Sequence, residues 1–370
     1  MPTTLLHVFP SFAIGGQQAR FATIANRLGR AFRHQLISLD GRDEATSLLN
    51  PLVDFELLPQ PDRFIGAARR LREIAQTSRK VGADGLITYN WGSIEWAIVN
   101  RWYYRRPHIH FEDGFGPDEA DRQKPHRVLV RRCALQRSVI VVPSRNLERL
   151  ARIQWRLKPE MIRYIPNGID SSRFDGMPAE GGPYFARRAD ECIIGSFSPL
   201  RPEKNIGRLL RAFAEIVAAR SAVRLIICGD GPELNHLREL AQNLGVADKA
   251  AFVGHVIKPE TVMGAFDLFA MTSDTEQMPY AILEAMAAGL PIASTAVGDI
   301  PVMVADENRP FIVPGDDSHQ LGLALAQLCN DAGLRHRVGE ANRKRVEQSY
   351  SIEPMVDAFR QTIVEVIGDE

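Results

Sequence analysis

Much that would settle a function at once is missing from this chain. Its 370 residues include only four cysteines, Cys133, Cys192, Cys228 and Cys329. None forms a CxxC pair, so neither a zinc site nor a disulfide framework is indicated, and a reduced, cytoplasmic setting is expected. No apolar run reaches the ~18 residues of a spanning helix. The start, MPTTLLHVFPSF, lacks the basic region and apolar core of a signal peptide. There is no G-x-G-x-x-G, which gives a Rossmann dinucleotide fingerprint little support. No DxD-like acidic pair follows a strand where it would hold a metal. Short-period repeats and low-complexity tracts are absent too.

Net charge is also missing, with 45 basic against 45 acidic side chains, but the cancellation is uneven. Residues 1–170 hold 26 Lys and Arg against 17 Asp and Glu, and the remainder reverses the balance with 19 against 28. A basic N-terminal half suits an anionic partner or an anionic membrane surface; a solvated charged face fits equally well. The length allows two domains, because single cores stop growing near about 250–300 residues.

What is present is alternation. LLHVF (5–9) reads as a strand, AIGG as a glycine turn and QQARFATIANRLG as a helix. HQLISL, GLITY, HIHFE, SVIVVPS (138–144) and MIRYIPNGID continue the pattern. It restarts with CIIGSFS (192–198), the helix IGRLLRAFAEIVAA, and RLIICGDGP, AAFVGHV, DLFAMTS, LPIAST and FIVPG. EAMAAG reads as a helix stopped by Gly289, and SIEPMVDAFRQTIVEVIG as a final amphipathic helix. Repeated strand–helix order predicts parallel sheets with helices on both faces. The Gly/Pro-rich polar stretch 171–190 marks the join. The expected domains are 1–170, 171–350 and a helix, 351–370, crossing back to the N-terminal domain.

Four stretches carry chemistry. Gly15 and Gly16, in VFPSFAIGGQQ, stand between a strand and a helix, where backbone amides meet an anion or simply turn the chain. Arg201 and Lys204, in SPLRPEKNIGRLL, would clamp a pyrophosphate or would be ordinary loop cations. CGDGPE (228–233) is a strand end and turn. In SDTEQMPYAILEAMAAGLPIAST, Glu276 precedes a helix, Pro279 suits its first position, and Glu284 sits in an apolar run. A carboxylate there is costly, unless vicinal hydroxyls of a ribose or a basic neighbour satisfy it.

The order of Gly-Gly turn, VVPS, IPNGID, RPEKN, CGDGP and E-x7-E before AMAAGLPI resembles the retaining glycosyltransferases of family 4, which have the GT-B fold. The resemblance implies two Rossmann-like parallel-sheet domains facing across a cleft. It implies a retaining, metal-independent hexosyltransferase moving sugar from a nucleoside diphosphate sugar, UDP type, to an acceptor hydroxyl in polysaccharide or glycolipid assembly. No cofactor beyond that donor is implied, nor any nucleic acid. The acceptor would be a sugar or a lipid-linked group. Glu284 then holds the ribose, Glu276 the donor sugar, Lys204 the diphosphate, and Gly15 and Gly16 lie near phosphate and acceptor. Backbone at Gln277, Met278, Pro279 and Tyr280 then faces the sugar and phosphate.

Three positions depart from the pattern. Pro199 replaces an arginine for which Arg201 would substitute. Gln277 replaces a glycine beside the sugar. In RPHIHFEDGFGPDE (106–119) the acceptor-side histidine is either His110 or, at the matching position, Asp113, with Glu112 less well placed. His108 and His110 also share one strand face, the pattern of packing residues. The basic stretch DRQKPHRVLVRRCALQR (121–137), with Val128, Leu129, Cys133 and Leu135, would sit peripherally on an anionic inner membrane face or pair with acids of its own domain. Competing readings are a nucleotide-sugar epimerase of the same fold and a non-catalytic two-domain binding protein.

Overall fold

The computed structural model describes residues 2–60, 66–119, 122–176, 182–188, 190–219, 222–315 and 317–368. Part of the expected join, 177–181 and 189, lies outside the described residues, as does Asp121. Two compact units result: Met1–Asn167 together with Glu353–Glu370, and Gly168–Ile352. Among the described residues no helix is long and apolar enough to cross a membrane.

The first unit is built on seven parallel strands: β1 (Thr3–Phe9), β2 (Phe32–Ser38), β3 (Asp54–Leu57), β4 (Gly85–Tyr89), β5 (His108–Phe111), β6 (Val139–Val142) and β7 (Ile162–Tyr164). Their order is β3-β2-β1-β4-β5-β6-β7. Strands such as β4 and β6 are buried along their whole length. Helices cover both faces of a parallel sheet, so near-continuous apolar runs replace alternation. The final helix, Ile352–Ile367, belongs to this unit: Phe359 stacks on Phe111 with centroids 5.0 Å apart. A Cβ on Gly85 would meet Ile367 at 2.3 Å, so glycine is needed where that helix crosses β4.

The second unit has six parallel strands: β8 (Cys192–Phe197), β9 (Val223–Cys228), β10 (Ala250–Gly254), β11 (Leu268–Met271), β12 (Ile292–Thr295) and β13 (Ile312–Val313). Their order is β10-β9-β8-β11-β12-β13. The helix Ile206–Ala219 buries Ile206, Leu209, Leu210, Phe213 and Ile216, one stripe at helical spacing. Each sheet reverses its winding direction once, between β1 and β4 and between β8 and β11. Ligands of such sheets bind outside the carboxyl ends of the strands at these reversals.

Candidate functional site

At the β8/β11 reversal two loops are stitched together. The loop after β8 carries Arg201 and Lys204, and the loop after β11 carries Asp274 and Glu276. Lys204 Nζ lies 2.5 Å from Glu276 Oε1, and Ser273 Oγ donates to the same oxygen at 2.7 Å. Asp274 N–H donates to the Glu203 carbonyl, and Thr272 Oγ1 donates to the carbonyls of Lys204 and Asn205. Arg208 closes the seam, reaching Asp274 at 2.7 Å and the Thr272 carbonyl at 2.8 Å. The exposed Arg201 guanidinium has no ion-pair partner among the described residues.

Glycines shape both loops. In CGDGP, a Cβ on Gly229 would fall 1.8 Å from the Ser198 carbonyl oxygen, and one on Gly231 would fall 2.4 Å from that of Leu200. This close approach lets Leu200 N–H donate to Asp230 O and Glu233 N–H to Leu200 O. The turn is therefore a brace under the Arg201–Lys204 loop. Gly298, which sequence reading passed over, does the same for the Glu276 loop. It has φ +55°, and a Cβ there would lie 2.3 Å from the Glu276 carbonyl. Asp299 N–H then donates to Gln277 O at 2.8 Å.

The helix Tyr280–Ala287 follows. Pro279 is its N-cap rather than its first helical residue, which corrects the expected position. Ile282, Leu283, Ala285, Met286 and Ala287 are buried, and Met278 joins the same core with 5% exposure, leaving only its backbone for a ligand. Gln277 is buried as well. Glu284 is only partly buried, and among the described residues it has no ion pair within 4 Å. Burial pushes its carboxyl up to about 7, the nearby Arg173 opposes this, and Glu260 adds to it. Arg173 is already bonded to Glu260 at 2.6 Å, so the basic neighbour of Glu284 is engaged elsewhere.

In the first unit Gly15 is the extended N-cap of the helix Gly16–Leu28, whose first turn has neither a side-chain cap nor an acid. That helix reaches Asp113 beyond β5: Gln17 Nε2 donates to Asp113, and Arg20 pairs with it at 2.5 Å. Asn167 of IPNGID orients Arg20 at 3.0 Å. The structure thus joins Gly15, Gly16 and Asp113 at the carboxyl end of the sheet.

His110 goes the other way. It is wholly buried in β5, with Nδ1 2.7 Å from Thr88 Oγ1, and His108 Nε2 approaches the same hydroxyl at 2.8 Å. Burial and His110 hold the His108 imidazole down at about 3. An imidazole sealed into a sheet has no face for an acceptor, so the expectation of His110 there is corrected; Asp113 is the partly exposed alternative.

Arg131 is the residue least visible in advance. The stretch 121–137 reads as a basic surface, yet Arg131 is buried against Trp91, Phe115 and Trp155 with centroid distances of 5.0, 5.1 and 5.3 Å. It pairs with Glu112 and Glu119, each at 3.2 Å. Arg127 pairs with Glu119 and Asp118, and Lys124 with Asp118. Among the described residues this stretch spends three of its cations on acids of its own unit.

Known proteins resemble both units. The family described as "Glycosyl transferases group 1" matches residues 185–345, and "Glycosyltransferase Family 4" matches residues 14–173. N-acetyl-alpha-D-glucosaminyl L-malate synthase of Bacillus anthracis is 29% identical over 49% of this chain and 47% of its own length. Alpha-monoglucosyldiacylglycerol synthase of Streptococcus pneumoniae is 32% identical over 51% of this chain and 44% of its own. The chain therefore spans about half the length of these curated relatives. The structure of Anabaena Alr3699/HepE in complex with UDP superposes with a TM-score of 0.82 at 20% identity, covering 98% of this chain and 100% of that one. Two parallel-sheet units and two family matches that together run across most of the sequence lead to one placement: the chain belongs to the GT-B glycosyltransferases of family 4 type.

Proposed function

We propose that the protein is a retaining glycosyltransferase that takes a hexose from a nucleoside diphosphate sugar, UDP type, and passes it to a hydroxyl of a sugar or lipid-linked acceptor. The observation that carries this is the meeting of Lys204 and Glu276 at the β8/β11 reversal, with Glu284 on the helix that follows. A cation and a carboxylate so placed suit a ligand with phosphates at one end and hydroxyls at the other.

Transfer breaks the bond between the anomeric carbon and the diphosphate, and negative charge grows on the leaving oxygen. Lys204 and Arg201 stabilise that charge, aided by the N-terminal end of the helix Tyr280–Ala287. No metal is invoked in this scheme. Glu284, once ionised, accepts from two ribose hydroxyls, and Glu276 accepts from the sugar. In the other unit, Asp113 and the open N-terminus after Gly15 and Gly16 serve the acceptor side. Asp113, held by Arg20 and Gln17, positions the acceptor. The names of the relatives, an N-acetyl-alpha-D-glucosaminyl L-malate synthase and an alpha-monoglucosyldiacylglycerol synthase, support small polar or lipid acceptors, and the UDP in the HepE complex supports the nucleotide.

The test is a thermal-shift screen of UDP- and GDP-sugars, followed by NMR of the product made with the best donor. Ligand at 100 Kd raises stability by about 2.7 kcal/mol. A new glycosidic bond with the anomeric configuration of the donor is expected. Absence of any shift at millimolar nucleotide, or an inverted product, would reject the assignment.

A further inference from the structure

A second basic region lies at the opposite edge of the first sheet, where strands begin rather than end. The stretch NRWYYRRPH runs from Asn100 into β5, and Arg137 lies two residues before β6. Asn100–Tyr104 forms a single π turn, a form common at functional sites. It closes on Arg105 in the left-handed region at φ 53°, ψ 30°, which is unfavourable for a side chain of this size. The Asn100 side chain holds the turn by donating to Arg106 O at 3.0 Å and accepting from Arg106 N–H at 3.2 Å. The result is a cavity of about 300 Å³ whose lining includes Arg101, Arg105, Arg106 and Arg137, with no acidic residue in the wall.

None of these four arginines has an ion-pair partner among the described residues. Arg101 Nη1 is buried and finds no hydrogen-bond partner, while Nη2 donates to Gln136 Oε1 at 3.4 Å; a buried donor left unmet is costly unless a ligand relieves it. Beside the cavity, Trp102 is 67% and Tyr103 is 74% exposed. Large aromatics are rarely this open on a soluble surface, but at a bilayer interface an amphipathic ring sits at headgroup level.

We propose that this edge docks on an anionic phospholipid surface, with a headgroup phosphate entering the arginine cavity and Trp102 and Tyr103 seated among the headgroups. The basic helix Pro125–Ala134, whose charge is largely neutralised internally, is not the contact. This inference stands on its own observations and does not depend on the donor chemistry.

The experiment is co-sedimentation of the full chain with vesicles of phosphatidylcholine, with and without phosphatidylglycerol, at low and at physiological salt. Binding to the phosphatidylglycerol vesicles is expected to weaken with salt and to be absent on phosphatidylcholine alone. Each arginine near such a surface contributes about fivefold, so Arg105→Asn with Arg137→Gln should weaken binding about twenty-five-fold; asparagine tolerates the left-handed backbone at 105. Tryptophan emission should shift to the blue on binding, and Trp102→Phe should abolish the shift while binding persists. Failure of the wild type to bind, or equal binding by the double variant, overturns the proposal. So does full competition by millimolar glycerol phosphate, which would make the cavity a site for a free phosphate ester.

Discussion

Replacing Glu284 by glutamine should make the second unit more stable in base and less able to hold a nucleotide. Burial raises the carboxyl from 4.5 to about 7. Between those two values the folded protein keeps a proton that the unfolded chain has released, so the free energy of unfolding falls as pH rises through this window. Below about pH 4.5 both states are protonated and the penalty vanishes. Above about pH 7 both are ionised and it is complete. Taken in full, the penalty is on the order of 3 kcal/mol; partial exposure screens it, and about 1–3 kcal/mol should be read. Glutamine has the same shape and no charge, so Glu284→Gln should gain about 2–4 °C per kcal/mol in melting temperature at pH 8 relative to wild type, and little at pH 5. Nucleotide should behave in the opposite way. Stabilisation of the wild type by UDP should grow as pH rises through 7, because only the ionised group accepts from two hydroxyls, and the variant should lose most of it. Scanning fluorimetry of both proteins at pH 5 and 8, with and without UDP, reads all of this. A variant with wild-type UDP affinity would refute the ribose role; one that gains nothing at pH 8 would refute the cost of burial.

Lys204→Ala should cut turnover by about a hundredfold or more while shifting the melt by only a few degrees, as expected for a charge that acts mainly in the transition state. Initial rates against a matched melting curve decide it. Gly298→Ala should destabilise the second unit by several kcal/mol and disorder the Glu276 loop, since its φ of +55° and the 2.3 Å approach to Glu276 O both forbid a methyl group; an unchanged melt contradicts this. Arg131→Met should cost about 3–5 kcal/mol, because Glu112 would be left buried without its cation and Glu119 would keep only Arg127. Urea unfolding of the variant, with and without Glu112→Gln to remove one stranded charge, separates that cause from simple loss of packing.

The two sheets were legible because most strands are apolar runs set between turn or helix signals. β3 was not: its four residues sit at an edge, mostly exposed, and edge strands carry no long apolar signal. The loops after β8 and β11 could be located because Arg201, Lys204, Glu276 and Glu284 lie in short segments with their own punctuation. Their bracing could not, since Gly298 is separated in sequence from the carbonyl it accommodates and looks like any turn glycine. Arg131 misled for a related reason. Nothing in DRQKPHRVLVRRCALQR distinguishes a guanidinium that points inward from its exposed neighbours; Glu112 and Glu119, 19 and 12 residues away, decide which one does. His108 and His110 were readable as one strand face, but the shared Thr88 hydroxyl that locks them inside comes from a neighbouring strand.

The contact between Lys204 and Glu276 also acts as a lock that answers to only one shape of key. In the free protein each charge is the other's counter-ion, so a stray orthophosphate must evict a carboxylate already seated on the lysine and leave that carboxylate stranded. On the proposed function, a ligand carrying a diphosphate and, at the right reach, a hydroxyl would replace both halves of the pair in one exchange. The paired charges would then be quiet toward simple anions and would open only to a molecule that brings its own substitute for the partner it displaces.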